Sequence, residues 1–223
     1  PPILTAKQLA TIDMISGGRL VVGVGTGGRA EDYLATGAGP RERRISVMAS
    51  YVETLRSIWR GDYVVEGALR TVEPWPVQAS GPQILAGVMG PKGLASAASW
   101  ADGIAGMSVT GDVQDIVQSM NAARAAWQDA GVTTAPVFNS SFWFALGDSA
   151  DAQMQTHLTR YLNWLDEGSR NAMSSAAGFR GTPQGLRDRL KALADEGVDE
   201  ILLIPTSIDP AEVDKAAEVV ASL

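Results

Sequence analysis

Arg19-Leu20-Val21-Val22-Gly23-Val24-Gly25-Thr26-Gly27-Gly28 is the stretch on which the fold turns. The apolar run 20–24 has the character of a buried strand. It feeds directly into closely spaced glycines. Glycines after a strand mean that the backbone bends sharply there or lets another group come very close. A strand end with accessible N–H groups is also where a phosphate or a planar cofactor can lie.

The same unit, strand then loop then helix, repeats outward from this stretch. Upstream, residues 4–16 read as a helix capped by Thr5, ended by Gly17-Gly18, with Ala6, Leu9 and Ile12 inward. Downstream, residues 29–41 read as a polar loop carrying Gly37, Gly39 and Pro40. A long helix runs from Glu42 to Trp59 with the stripe Ile45, Met48, Val52, Leu55, Trp59, and Gly61 stops it. Residues 62–73 interrupt the rhythm as a hairpin insertion around Glu66-Gly67-Ala68. After Pro74, Pro76 and Pro82, strand 83–86 leads through Gly87-Val88-Met89-Gly90-Pro91-Lys92-Gly93 into a helix over 94–101. Residues 103–107 read as a further strand. Asp112 caps a helix to Ala130 with Val113, Ile116, Met120, Ala123 and Trp127 inward. Residues 136–146 read as a strand of mixed character. Residues 149–172 read as one polar helix with Met154, Leu158, Tyr161 and Leu165 in register, within a helical insertion over 149–178. Thr182-Pro183 opens a helix that buries Leu186, Leu190 and Leu193. Strand 200–205 and a helix from Pro210 to Leu223 follow. Such alternation predicts a parallel sheet with helices outside. An open doubly wound sheet and a (β/α) barrel both satisfy it.

Composition narrows the function classes. The chain has 223 residues, 45% of them hydrophobic and 19% charged, which is ordinary globular composition. A net charge of −7 argues against nucleic acid or an anionic membrane surface as partner. No apolar run reaches the roughly 18–20 residues that span a bilayer. With no Cys, neither disulfides, a thiolate metal site nor a Cys nucleophile is available, and a cytoplasmic location is expected. A single His leaves no basis for a His-built metal site or a Ser-His triad, so no metal is expected.

Gly23, Gly25 and Gly28 satisfy G-x-G-x-x-G. A dinucleotide-binding reading needs a helix opening at the third glycine and an acid at the end of the next strand. Here a polar loop follows, and the next strand carries no acid at its end. A tight structural turn, whose glycines only permit packing, is the plainer alternative.

An ordered set of stretches resembles the bacterial luciferase-like oxidoreductase superfamily, which includes flavin monooxygenases and deazaflavin-dependent dehydrogenases. They are Ala6–Asp13, Ile15–Leu20, Gly23–Gly27, Glu53–Gly61, Gln83–Gly87 leading to Ala97-Ala98 and Ala101–Gly103, and Gly181–Pro183 through Gly197–Asp199. The resemblance implies a TIM (β/α)8 barrel of the luciferase-like type with the first three strands absent from this chain. Residues 1–223 would then form a single partial barrel domain. A partner chain or a segment N-terminal to this one is expected to cover the open edge.

By the same resemblance, Gly25, Thr26 and Gly27 lie against the cofactor. The loop Gly87, Val88, Met89, Gly90, Pro91, Lys92 and Gly93 holds its phosphate. The implied cofactor is FMN or the deazaflavin F420, the implied reaction an oxidation or monooxygenation of a small organic substrate, and the implied assembly a homodimer. In sugar-phosphate dehydrogenases of the deazaflavin branch a catalytic Glu follows Gly-Thr-Gly. Here Gly28 and Arg29 follow, so no catalytic residue carries over. A flavin-binding but non-catalytic relative is the rival reading.

Other conspicuous residues have bland explanations. His157, on a polar helix, reads as solvated. Trp59, Trp100, Trp127, Trp143 and Trp164 fall at packing positions. Trp143 shares a strand face with Asn139, Ser141 and Ala145 and is the one aromatic placed to line a pocket.

Overall fold

The computed structural model describes residues 1–37 and 44–223. They form two compact units, residues 1–105 with 124–137, and residues 106–123 with 138–223.

The first unit contains α1 (Pro2–Ser16), β1 (Val21–Gly25), α2 (Ala30–Thr36), α3 (Arg44–Trp59), β2 (Gln83–Gly87), α4 (Pro91–Ala97) and β3 (Gly103–Ala105). β1 pairs with β2 and β2 with β3, all parallel, with Val21 opposite Gln83 and Gly25 opposite Gly87. Val22 and Ile84 face Val52, Leu55, Ile58 and Trp59 of α3 and Ala6 and Ala10 of α1, forming one apolar cluster. The indole N–H of Trp59 donates to the Ala6 carbonyl at 3.2 Å, which satisfies its polar end inside that cluster.

α1 starts three residues before Thr5, so Thr5 is not its cap; its hydroxyl lies 2.6 Å from that of Tyr51 instead. Gly17 closes the helix in the left-handed conformation, and the Gly18 N–H reaches the Asp13 carbonyl at 2.9 Å. The inward face is Ala6, Ala10 and Asp13, whereas Ile12 turns outward. Asp13 is fully buried because its carboxylate accepts the backbone N–H groups of Val77 and Gln78 and the Gln78 side-chain amide. A carboxylate surrounded by donors is tolerable inside. It pins the Pro-rich linker against α1.

Several expectations need correction. The polar loop over 29–41 contains α2, ended by Gly37 at φ 63; the remainder of that loop and the start of the long helix at Glu42 lie outside the described residues. Ile45 faces outward, and the buried side of α3 runs through Met48, Val52, Leu55, Ile58 and Trp59. No strand forms in 62–73, so there is no hairpin; a single turn closes from Val65 to Ala68 at 3.2 Å. Val64 and Val72 pack against the core of this unit, so side-chain burial replaces a ladder. The strand expected at 103–107 ends at Ala105.

α5 (Val113–Asp129) follows, with Ile116, Met120, Ala123 and Trp127 buried and Asp112 accepting the Gln114 N–H at 2.8 Å. The second unit is built on β4 (Val137–Leu146), which pairs in parallel with β5 (Phe179–Gly181) and β6 (Glu200–Pro205). The expected continuous helix over 149–172 is two helices, α6 (Ala150–Tyr161) and α7 (Glu167–Ala176). The break has a local cause: the Asp166 carboxylate caps α7 by accepting the Ser169 N–H at 2.9 Å. Met154, Leu158 and Leu162 pack with Trp143, Ala145 and Ala177. α8 (Pro183–Asp195) opens as expected, with Thr182 accepting the Gly185 N–H and Leu186, Leu190 and Leu193 buried. α9 (Pro210–Ala221) is capped by Asp209. Among the described residues no helix is long and apolar enough to cross a membrane.

Candidate functional site

The two glycine-rich strand ends singled out in the sequence are neighbours. β1 and β2 run parallel and finish together, with Gly25 opposite Gly87, so Thr26-Gly27 and Val88-Met89 leave the sheet side by side. Of the two, Gly87 is the one the close approach requires. A Cβ on Gly87 would stand 3.2 Å from the Val24 carbonyl oxygen, and one on Gly25 would stand 3.7 Å from the Gly87 carbonyl oxygen. Among the described residues, a Cβ on Gly27, Gly28 or Gly90 would meet nothing within 4 Å. Gly27 and Gly90 hold φ of 67° and 77°, which a side chain would strain.

The 87–93 segment differs from expectation in one respect. α4 opens at Pro91 rather than at Leu94, so only Val88 and Met89 form the connection and Gly90 is the N-cap. Pro91 occupies the first helical position, where its missing N–H costs nothing. Lys92 follows, exposed, in a first turn without an acidic residue. Gly93 is buried and has a packing role: a Cβ there would lie 3.0 Å from that of Val88. Met89, between Val88 and Gly90, is 84% exposed.

Tyr33 is the neighbour that sequence reasoning missed, because its segment read as loop. Its hydroxyl donates to the Thr26 carbonyl and ties α2 to the glycine turn. The signal was available: Ala30–Thr36 is a run of adequate helix formers stopped by Gly37.

Two other expectations fail for a shared reason. Trp143 is buried under α6, its ring 5.5 Å from that of Tyr161 and 6.2 Å from that of His157. His157 is half-buried rather than solvated, and its Nε2 has no hydrogen-bond partner. Burial, and secondarily the charge of Arg160, holds its pKa below the ordinary value. α6 covers β4 with its His157 and Tyr161 edge, so the one aromatic thought to face a cavity is sealed by the one histidine. Trp164, expected in the core, is half-exposed.

The model for luciferase-like monooxygenases matches residues 1–221 of the chain. The chain belongs to the luciferase-like monooxygenase family. That membership removes the dinucleotide-binding alternative, although α2 supplies a short helix after the glycines; β2 ends at Gly87 without an acid. Among curated relatives, the pyrimidine monooxygenase RutA of Enterobacter cloacae is 33% identical over 114 residues, 46% of this chain and 30% of RutA. The chain thus aligns with under a third of that relative's length. Among solved structures, an F420-dependent secondary alcohol dehydrogenase in complex with an F420–acetone adduct superposes with a TM-score of 0.74 at 18% identity, over 99% of this chain and 74% of that one. The EDTA monooxygenase of Chelativorans sp. BNC1 superposes at 0.69 and 15% identity, over 100% and 71%. At such identities the likeness shows the fold, which is the TIM barrel of luciferase-like enzymes.

Proposed function

We propose that this luciferase-like protein is an oxidoreductase that binds FMN or F420 at the paired ends of β1 and β2 and acts on a small organic substrate. The observation that carries the reading is the register that sets Gly25 opposite Gly87. It brings both glycine segments to one edge, and that edge is the C-terminal one, where barrel enzymes keep their chemistry. The residues fit the group: Gly27, Gly28 and Gly90 carry no side chain, a Cβ at each would meet nothing within 4 Å among the described residues, and Lys92 adds a positive charge beside Gly90. A phosphate-bearing cofactor can approach such backbone closely, and a side chain at those positions would fill the cradle.

In this reading Gly25, Thr26 and Gly27 border the ring or its chain. Val88, Met89, Gly90, Pro91 and Lys92 hold the phosphate end. Gly93 supports them by letting α4 close on Val88. When bound, a flavin or the deazaflavin supplies the two-electron chemistry, and the chain's own part is to bind, orient and exclude water. FMN and F420 share the phosphate that this loop would take, and kin in the family's fold include F420-dependent and monooxygenase enzymes.

The test is a fluorescence titration of the protein with FMN and with F420, repeated on Gly90→Asp and Gly90→Ala. Both variants strain the same φ of 77°, so their difference isolates the added charge. The expected result is binding of one cofactor, weakened at least about tenfold more by Asp than by Ala. Equal affinities for the two variants would remove the phosphate from this loop. Tight binding of a cofactor without any turnover would favour the non-catalytic reading.

A further inference from the structure

The chain carries seven methionines. Met120 and Met154 are sealed in the core, Met48 is nearly so, and Met173 packs against the cluster around Trp143. Met107 and Met14 are partly open, 38% and 49% exposed. Met89 stands apart at 84%, in the two-residue connection between β2 and α4. That connection is held at both ends, Gly87 by its pairing with β1 and Gly90 as the N-cap of α4. Val88 takes the packing place against α4; it is half-buried, and a Cβ on Gly93 would stand 3.0 Å from its own. The Met89 side chain is left to solvent, and Pro91 and Lys92 after it are exposed as well. A soft, polarizable thioether on a fixed backbone is open to attack by solutes.

We propose that Met89 is an oxidation site: hydrogen peroxide converts its thioether to the sulfoxide before that of any other methionine, and the sulfoxide weakens cofactor binding by the 88–92 loop. The second half rests on the reading of the paired strand ends as a cofactor site. In the reaction a sulfur lone pair attacks one peroxide oxygen. The S–O bond forms as the O–O bond breaks, and the proton on the transferred oxygen passes to the departing one, which leaves as water. Sulfur is oxidised to the sulfoxide, the peroxide is reduced, and no other reactant is needed. A thioether has no proton to lose before it attacks, so access to the sulfur decides which methionine reacts first. The product is polar, and its oxygen carries partial negative charge. Beside Gly90 and Lys92 such an oxygen is a rival acceptor for the donors that a phosphate would use, and it repels the phosphate. The converse also holds: a cofactor seated on this loop shields the sulfur from peroxide.

The experiment treats the protein with limiting hydrogen peroxide, removes it, and measures sulfoxide at each methionine by peptide mass spectrometry, with and without FMN or F420. Met89 should gain an oxygen atom first, ahead of Met14 and Met107. Saturating cofactor should slow oxidation of Met89 several-fold and leave that of Met14, on α1, unchanged. Peroxide-treated wild type should bind the cofactor about tenfold more weakly, which is what one lost charge-assisted hydrogen bond costs. Methionine sulfoxide reductases should restore the affinity. Met89→Leu should show the same affinity before and after peroxide. Oxidation of Met14 or Met107 ahead of Met89 would overturn the proposal. So would oxidation of Met89 at a rate indifferent to bound cofactor, or without loss of affinity. If untreated wild type binds neither cofactor, the reading of the paired strand ends fails and the effect on binding is overturned with it, whereas the order of oxidation still decides whether Met89 is the oxidation site.

Discussion

The ring of His157 lies nearly parallel to that of Tyr161 one helical turn on, centroids 5.9 Å apart and planes 11° apart. Both rings sit against Trp143 of β4. A neutral imidazole in this position already leaves Nε2 unpartnered, and charging it adds a cation where Nε2 has no acceptor.

Stability should therefore depend on pH through this residue. The pKa of His157 is lowered in the folded protein, chiefly by burial, from an unfolded value of 6.5. The unfolded chain then binds the proton more readily, so stability is full above about 6.5 and falls as pH drops toward the folded pKa. Urea midpoints between pH 7.5 and 5.5 should decline more steeply for wild type than for His157→Leu. Parallel declines would show that His157 contributes nothing to the slope.

A second prediction concerns carboxylates placed just before strands. Asp102 Oδ2 accepts the Ile84 N–H at 2.7 Å and the Arg56 guanidinium at 2.9 Å. In the other unit Asp199 Oδ2 accepts the Phe138 N–H at 2.8 Å. Each aspartate thus closes the backbone at the start of a neighbouring strand. Asp102→Ala strands a donor on a buried strand and should cost about 1–3 kcal/mol by urea denaturation, toward the lower end because Asp102 is partly solvated. Asp199→Ala should fall in the same range.

Glu212 is buried at the start of α9, its Oε1 accepting the Leu146 N–H at 2.8 Å and the Gln153 amide at 3.2 Å. Gln153 also donates to the Thr206 hydroxyl, which donates in turn to the Phe144 carbonyl. Glu212→Ala should destabilise by about 1.5–3 kcal/mol, since charged hydrogen bonds are lost and a buried N–H is orphaned. Glu212→Gln keeps an acceptor for the Leu146 N–H and should cost less. Equal losses in chemical denaturation would argue that charge, rather than hydrogen bonding, is what the site requires.

Gly103 gives the sharpest steric prediction. A Cβ there would stand 2.0 Å from the Val137 carbonyl oxygen, a distance no side chain tolerates. Gly103→Ala must displace backbone, at a cost above about 3 kcal/mol. Gly131→Ala is a useful contrast: its Cβ would meet nothing, and only its φ of 73° is strained. Soluble yield and thermal midpoint should rank Gly103→Ala far below Gly131→Ala.

The sequence by itself determined most of the strand and helix order, the inward leucine stripe of α8 and the family. Those signals are local or periodic. Val21–Gly25, Gln83–Gly87 and Glu200–Pro205 are strands because short apolar runs end at turn residues, and Thr182-Pro183 opens a helix by cap chemistry that three residues specify. Only the tertiary structure decided which segments meet. The glycines at 25 and 87 are far apart in the chain, and sheet register makes them neighbours. Tyr33 became part of the site through a hydroxyl whose partner no spacing rule names. The hairpin expected at 62–73 failed because Val64 and Val72 found burial against the core of their unit, which outweighs pairing two short strands alone. His157 and Trp143 changed character for the same reason: a side chain's environment is set by what packs over it, and packing is a property of the folded chain rather than of its local sequence.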